Sequence, residues 1–188
     1  MKLILGSKSQ GRRDVLTEAG YEFEVITADF DEKSIRDSDP EKLVLKLANA
    51  KADAILPKIT EPALLVAADQ VAVCSGEILE KPENADQARD YIRRYNTHPM
   101  ITICGLVVAN TQTGKRAEGI DIAKVFFNQI PESAIEEAIS DGRVMHCAGA
   151  MRCEDGPLGS FVDHFEGTKD STSGMPLVLL EKLIKQVE

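Results

Sequence analysis

Asp69 stands, with Gln70, inside an otherwise continuous apolar run from Ala63 to Val73. A carboxylate is costly to bury there unless it meets a metal, a cation or a proton-transfer partner. The alternative is a structural Asp at a strand end, paired with a nearby lysine. A second candidate is Glu32 in the acidic loop Asp29-Phe-Asp31-Glu32, which alone reads as a solvated acid. Two carboxylates brought together would hold Mg²⁺ or Mn²⁺ against a triphosphate. The third feature is the start of the chain, where Leu3 to Leu5 runs into Gly6-Ser7-Lys8-Ser9-Gln10-Gly11-Arg12-Arg13. A turn rich in Ser, Gly and Arg, from a strand into a helix, suits an oxyanion, because unpaired N–H groups and bidentate guanidinium donors converge there. Phosphate is the expected anion. The other reading is that Ser9 simply caps the helix and the arginines face solvent. Lys81, after Glu80 and before Pro82, lies at a strand-to-helix transition from which an ammonium can reach into a cleft.

The elements that must position these groups follow from periodicity. A first helix carries Val15, Leu16 and Ala19 on one face, with Gly20 as its stop. Tyr21 to Thr27 reads as a strand. Asp39-Pro40 opens a helix in which Leu43, Val44, Leu47, Ala48, Ala54 and Ile55 repeat, leaving Lys46 and Lys51 for other faces. Ala63 to Val73 reads as a strand buried on both faces. Asn84 or Asp86 precedes a helix aligning Ala88, Tyr91, Ile92 and Tyr95. Met100 to Ala109 and Arg116 to Asn128 form a hairpin around the polar turn at 110–115. Pro131 opens a short helix through Ile139, Asp141 to Ser160 is a loop region, Phe161 to Phe165 is a short strand, and Met175-Pro176 starts a last helix. Strands and helices alternate before the hairpin, so the fold class is a layered α/β or mixed α+β domain.

Composition narrows the partners. Among 188 residues, 31 are acidic and 22 basic, a net charge of -9. That balance argues against a nucleic-acid polymer, which needs a basic stripe, but leaves room for one nucleotide in a small basic pocket. No apolar run approaches the roughly 20 residues of a membrane span, and the N-terminal one is too short for a signal-peptide core. The cysteines Cys74, Cys104, Cys147 and Cys153 form no CxxC pair, and His98, His146 and His164 have no metal spacing. Buried thiols in a reducing cytosol are expected. Walker, GxSxG and HExxH motifs are absent.

Taken together and in order, these residues resemble the Maf family of nucleoside triphosphate pyrophosphatases. The resemblance covers Ser7-Lys-Ser9 with Arg12 and Arg13, Asp31-Glu32, Leu47-Ala-Asn-Ala-Lys51, Ala68-Asp69-Gln70-Val71 and Glu80-Lys81-Pro82. It continues through Thr97-His98, His146-Cys-Ala-Gly149, Phe165-Glu-Gly167 and Gly174-Met-Pro176. It implies one domain over 1–188, a twisted mixed sheet flanked by helices, and two lobes around a central nucleotide cleft. It further implies a cytoplasmic homodimer that uses a divalent cation (Mg, Mn or Co) to release pyrophosphate from a nucleoside triphosphate. Carried over by position, Asp69 is the proton acceptor that activates water, Glu32 and Asp69 are the metal ligands, and Ser7, Arg12, Lys51 and Lys81 contact phosphate. Asp69 is then expected close to Lys81.

The family divides by substrate. Its pyrimidine branch typically reads Ser-x-Ser-Pro-Arg-Arg, Asp-Thr-Val and a late-loop Gln, where this chain has Gly11, Gln70 and Glu154. Asp69-Gln70-Val71 and His146-Cys147-Ala148-Gly149 are similar to the branch acting on 7-methyl-GTP, although Gln10 and Gly11 stand where that branch commonly carries proline and an aromatic residue. A carboxylate at Glu154 suits that base, since it accepts from both guanine N1–H and the N2 amino group. Competing expectations are a dTTP/UTP or broader pyrophosphatase and, in a different class, a regulatory nucleotide-binding protein affecting septum formation.

Overall fold

The computed structural model describes residues 1–27, 29–153 and 156–188. In chain order the elements are β1 (Lys2–Leu5), α1 (Gln10–Glu18), β2 (Phe23–Val25), α2 (Pro40–Ile55), β3 (Ala63–Cys74), β4 (Glu77–Leu79) and α3 (Ala85–Arg94). Then come β5 (Met100–Asn110), β6 (Arg116–Phe127), α4 (Glu132–Asp141), β7 (Val162–Glu166), α5 (Lys169–Thr172) and α6 (Leu177–Val187). The seven strands make a mixed sheet in the order β2-β1-β3-β5-β6-β7, with β4 on β3. β1 pairs parallel with both β2 and β3, whereas β4 and β7 join antiparallel. The α/β expectation is met.

The chain divides into two compact units. The first comprises 1–70, 103–121 and 173–188, and the strand alternation of period two explains its core. Leu3 and Leu5 of β1, Leu64, Val66 and Ala68 of β3, and Cys104, Leu106 and Val108 of β5 pack with Leu16 of α1 and Leu180 and Leu183 of α6. The intervening residues Ile4, Leu65, Ala67 and Val107 pack on the other face with Ala48, Ala52 and Ile55 of α2. Helix α2 lies unusually close to β5 at Gly105, where an added Cβ would stand 2.7 Å from the Val44 carbonyl carbon. Asp39 caps this helix, accepting from Glu41 N and Lys42 N at 3.0 and 3.3 Å, and Pro40 occupies its first position as expected.

The second unit holds 71–102 and 122–172. Its core gathers Leu79, Tyr91, Ile92 and Tyr95 with Ile130, Ile135 and Leu158. Tyr95 is buried and donates its hydroxyl to the Gly149 carbonyl at 2.7 Å. Asn84 rather than Asp86 caps α3, accepting from Gln87 N at 2.9 Å. The second strand is shorter than the expected 21–27, because only Phe23 to Val25 align with β1. Ala19 turns out exposed, just past the end of α1, while Gly20 has the positive φ of +79° of a helix stop. Helix α4 begins one residue after Pro131, which serves as its cap, and runs on to Asp141. The expected loop at 141–160 carries short 3-10 turns at 143–146, 148–150 and 159–161.

Candidate active site

Asp69 follows Ala68 along β3, so the alternation that turns Leu65 and Ala67 toward α2 turns Asp69 the same way. What it meets there is Lys51 of α2, whose Nζ pairs with Asp69 Oδ1. The same ammonium lies 3.3 Å from Glu32 Oε1. The side chains of Lys51 and Asp69 are only 11% and 13% exposed, against 56% for Glu32. Glu32 opens a 3-10 turn whose start is fixed by Asp31, which accepts from Lys33 N at 3.0 Å. Two carboxylates thus share one ammonium and leave an excess of negative charge, while Asp69 Oδ2 accepts no bond among the described residues. Lys51 was expected on another face of its helix and is instead buried. Four residues after Leu47 and four before Ile55, it lies in the apolar register. The lysine that pairs with Asp69 is Lys51. Lys81 is exposed in the second unit and forms no ion pair among the described residues.

The second cluster surrounds Arg12, the buried cation of α1. Its Nη1 donates to Ser7 Oγ at 3.0 Å and to the Ala68 carbonyl at 2.7 Å, and its Nε donates to the Gly174 carbonyl at 3.0 Å. Three of five guanidinium N–H directions are thereby fixed, and Nη2 is left without a partner among the described residues. Ser7 Oγ also accepts from Ser9 N at 3.2 Å, so the Ser7 hydroxyl proton is available to donate. Ser9 sits at the N-cap of α1 but makes no side-chain capping bond, and no acid occupies the first turn. The positive end of the helix, with its orphan N–H groups, is therefore not answered by a side chain of its own. Because Ala68 precedes Asp69, one stretch of β3 ties the two clusters together.

Beneath Arg12 lies Cys104, whose Sγ donates to the same Gly174 carbonyl at 3.4 Å. Burial pushes this thiol up to about 12, against the smaller opposing pull of Arg12. It is therefore a neutral donor at ordinary pH rather than a nucleophile. A disulfide reagent applied to the native protein at pH 8 should modify at most the two half-buried thiols, Cys147 and Cys153, and reach Cys74 and Cys104 only after unfolding. Four fast-reacting thiols in the native state would contradict this enclosure.

The pattern of Maf-like proteins matches residues 2–187. The chain belongs to the Maf family. It is 42% identical to a 7-methyl-GTP pyrophosphatase of Dictyostelium discoideum, over 98% of this chain and 96% of that protein. A nucleoside triphosphate pyrophosphatase of a Synechococcus species is 34% identical over 98% and 93% of the two chains. A dTTP/UTP pyrophosphatase of Clostridium perfringens is 33% identical over 100% and 98%.

In this Maf chain, Gln70 and Gly11, two of the residues singled out for substrate choice, do not belong to the Glu32–Lys51–Asp69 cluster. Gln70 is half-buried and follows the opposite parity from Asp69, toward the α1 and α6 face. Gly11 stands in the first turn of α1, where a Cβ would approach the Ser173 carbonyl oxygen at an ordinary 3.5 Å. Glu154 lies outside the described residues. Sequence reasoning missed the acceptors that hold Arg12, since carbonyls of Ala68 and Gly174 leave no trace in residue type. The one available signal was Gly174 beside the Met175-Pro176 helix start, a glycine where the chain needs a positive φ. Among the described residues no group of three or more His, Cys, Asp or Glu is placed to hold a metal ion, and no helix is long and apolar enough to cross a membrane.

Proposed function

We propose that this chain hydrolyses a nucleoside triphosphate, foremost 7-methyl-GTP, to the nucleoside monophosphate and pyrophosphate, clearing an unwanted nucleotide from the pool. The observation that carries this reading is the convergence of Glu32, Asp69 and Lys51 one residue along β3 from the carbonyl that fixes Arg12. The substrate follows the full-length similarity to the Dictyostelium enzyme.

In the proposed reaction, water attacks the α-phosphorus and the bond from that phosphorus to the bridging oxygen breaks. Pyrophosphate departs with the bonding electron pair, and the proton of the attacking water goes to Asp69. Oδ2, which accepts no bond among the described residues, is the oxygen suited to receive it. Ser7, Arg12, Lys51 and Lys81 bind the phosphate oxygens, with Arg12 Nη2 and the Ser7 hydroxyl as the donors left over from structural bonds. The donor set also fits a divalent cation. Glu32 and Asp69 are hard oxygen ligands with one positive charge between them, and a magnesium-like ion takes one or two carboxylates and fills its remaining positions with water and phosphate. When bound, such an ion supplies charge neutralisation at the non-bridging and departing oxygens.

A panel of 7-methyl-GTP, GTP, UTP, dTTP, CTP and ITP, read by pyrophosphate release, tests this function. The highest kcat/KM is expected for 7-methyl-GTP. A maximum for UTP or dTTP would assign the chain to the pyrimidine branch, and binding without turnover would make it a regulatory nucleotide-binding protein. Base choice is assigned to Gly11, Gln70 and Glu154. Replacing Glu154 by Gln exchanges one acceptor for a donor facing a guanine donor, so kcat/KM for 7-methyl-GTP should fall about ten- to a hundredfold, the equivalent of roughly 1.5–3 kcal/mol. UTP turnover should be unchanged or slightly higher. An equal fall for purine and pyrimidine substrates would remove Glu154 from base recognition.

A further inference from the structure

We infer that Gly174 is a positioning residue of the anion site, one that fixes the direction of Arg12 and the approach of Gln70; this rests on the reading of Arg12 as a phosphate contact. Gly174 has φ of +80°, a left-handed conformation that costs a residue with a Cβ. In that conformation its carbonyl accepts from Arg12 Nε at 3.0 Å and from the Cys104 thiol at 3.4 Å. Its Cα lies against the same group. A Cβ there would stand 3.1 Å from Arg12 Nε and would overlap Gln70 Oε1. One glycine therefore touches both the cation assigned to phosphate and the side chain assigned to base choice.

The location of Gly174 is itself held. Met175, the next residue, is fully buried, and Pro176 starts α6, whose Leu180 and Leu183 anchor in the core of the first unit. Cys104 holds the second lone pair of the Gly174 carbonyl from a strand in the middle of the sheet. The guanidinium is consequently suspended between β3, through the Ala68 carbonyl, and the entry to α6, through the Gly174 carbonyl. If either support moves, Nη2 changes direction, and small displacements of a positioned group cost rate steeply. A glycine that only made the turn into α6 would have no such link to turnover.

The test uses the full chain with Gly174→Ala, Arg12→Ala and the double variant. The readouts are kcat/KM for GTP and UTP, competitive inhibition by inorganic pyrophosphate, and the thermal midpoint. Gly174→Ala is expected to lower kcat/KM at least tenfold for both nucleotides and to weaken pyrophosphate inhibition by a similar factor. On the Arg12→Ala background it should add less than a further twofold, because the group it positions is already gone. Losses that multiply, or a lowered midpoint with unchanged kcat/KM, would overturn the inference and leave Gly174 as a turn residue. Wild-type kcat/KM and pyrophosphate inhibition in Arg12→Ala alone would instead overturn the phosphate reading of Arg12, and the inference with it. Should Gly174→Ala fail to fold, Gly174→Asn brings the same Cβ in a residue that tolerates the left-handed region, and the same outcomes apply.

Discussion

Replacing Asp69 by Asn should reduce turnover by about a hundredfold or more while leaving the fold in place. The amide keeps the shape of the carboxylate and its oxygen can still accept from Lys51, so the contact between β3 and α2 survives. Lys51 also retains Glu32. What is lost is the ability to take a proton from water and to present a charge to a cation. The variant should therefore show a wild-type far-ultraviolet spectrum and a thermal midpoint within a few degrees of the parent. Near-parental turnover in that folded variant would show that the proton acceptor is some other group.

The second large effect is expected at Lys51, where stability and activity should fall together. Lys51→Met preserves the apolar stem, which packs in the register of Leu47 and Ile55, and removes the cation that, among the described residues, pairs with both Asp69 and Glu32. Breaking a largely buried ion pair by deleting one partner costs about 3–5 kcal/mol, much of it the penalty of the charge left behind. Two carboxylates then face each other without an ammonium. In a chelator the midpoint should drop by about 6–20 °C for a chain of this size. Millimolar magnesium or manganese should return part of that loss, since a divalent ion can take the place of the missing charge. If Lys51 contacts phosphate as proposed, turnover should fall about a hundredfold for every nucleotide, since such a contact does not distinguish bases. A midpoint that ignores both the substitution and the metal would mean that the three side chains do not act as a unit.

The strands of this protein were legible because burial on two faces leaves long apolar runs, and β3 and β5 match their expected spans to within a residue. Strand β4 escaped because three residues, Glu77 to Leu79, carry too little pattern to stand out. Asp69 was legible as an interruption of an apolar run, but its partner was not. Lys51 is 18 positions away in sequence, and only the topology brings α2 over β3. The register of α2 contained that information, since a lysine spaced four from Leu47 and four from Ile55 cannot also face water. The start of the chain suggests an anion site through its residue types. The geometry of Arg12 was not, because two of its three acceptors are backbone carbonyls, and any residue type can supply one.

The parity of β3 has a consequence for how such a protein can change. Asp69 and Gln70 are adjacent in the gene yet look out from opposite sides of one strand, the first toward α2 and the second toward α1 and α6. A codon change at position 70 alters one side chain on one surface and leaves the Lys51–Asp69 pairing, and the strand register that creates it, as they were. If Gln70 reads the base as proposed, variation there alters substrate choice while the Lys51–Asp69 pairing stays in place. An insertion or deletion of one residue anywhere between Ala63 and Ala68 would do the opposite, rotating the carboxylate to the wrong side. Libraries built on this scaffold should accordingly vary position 70 together with its neighbour Gly174 and hold the length of the preceding strand fixed.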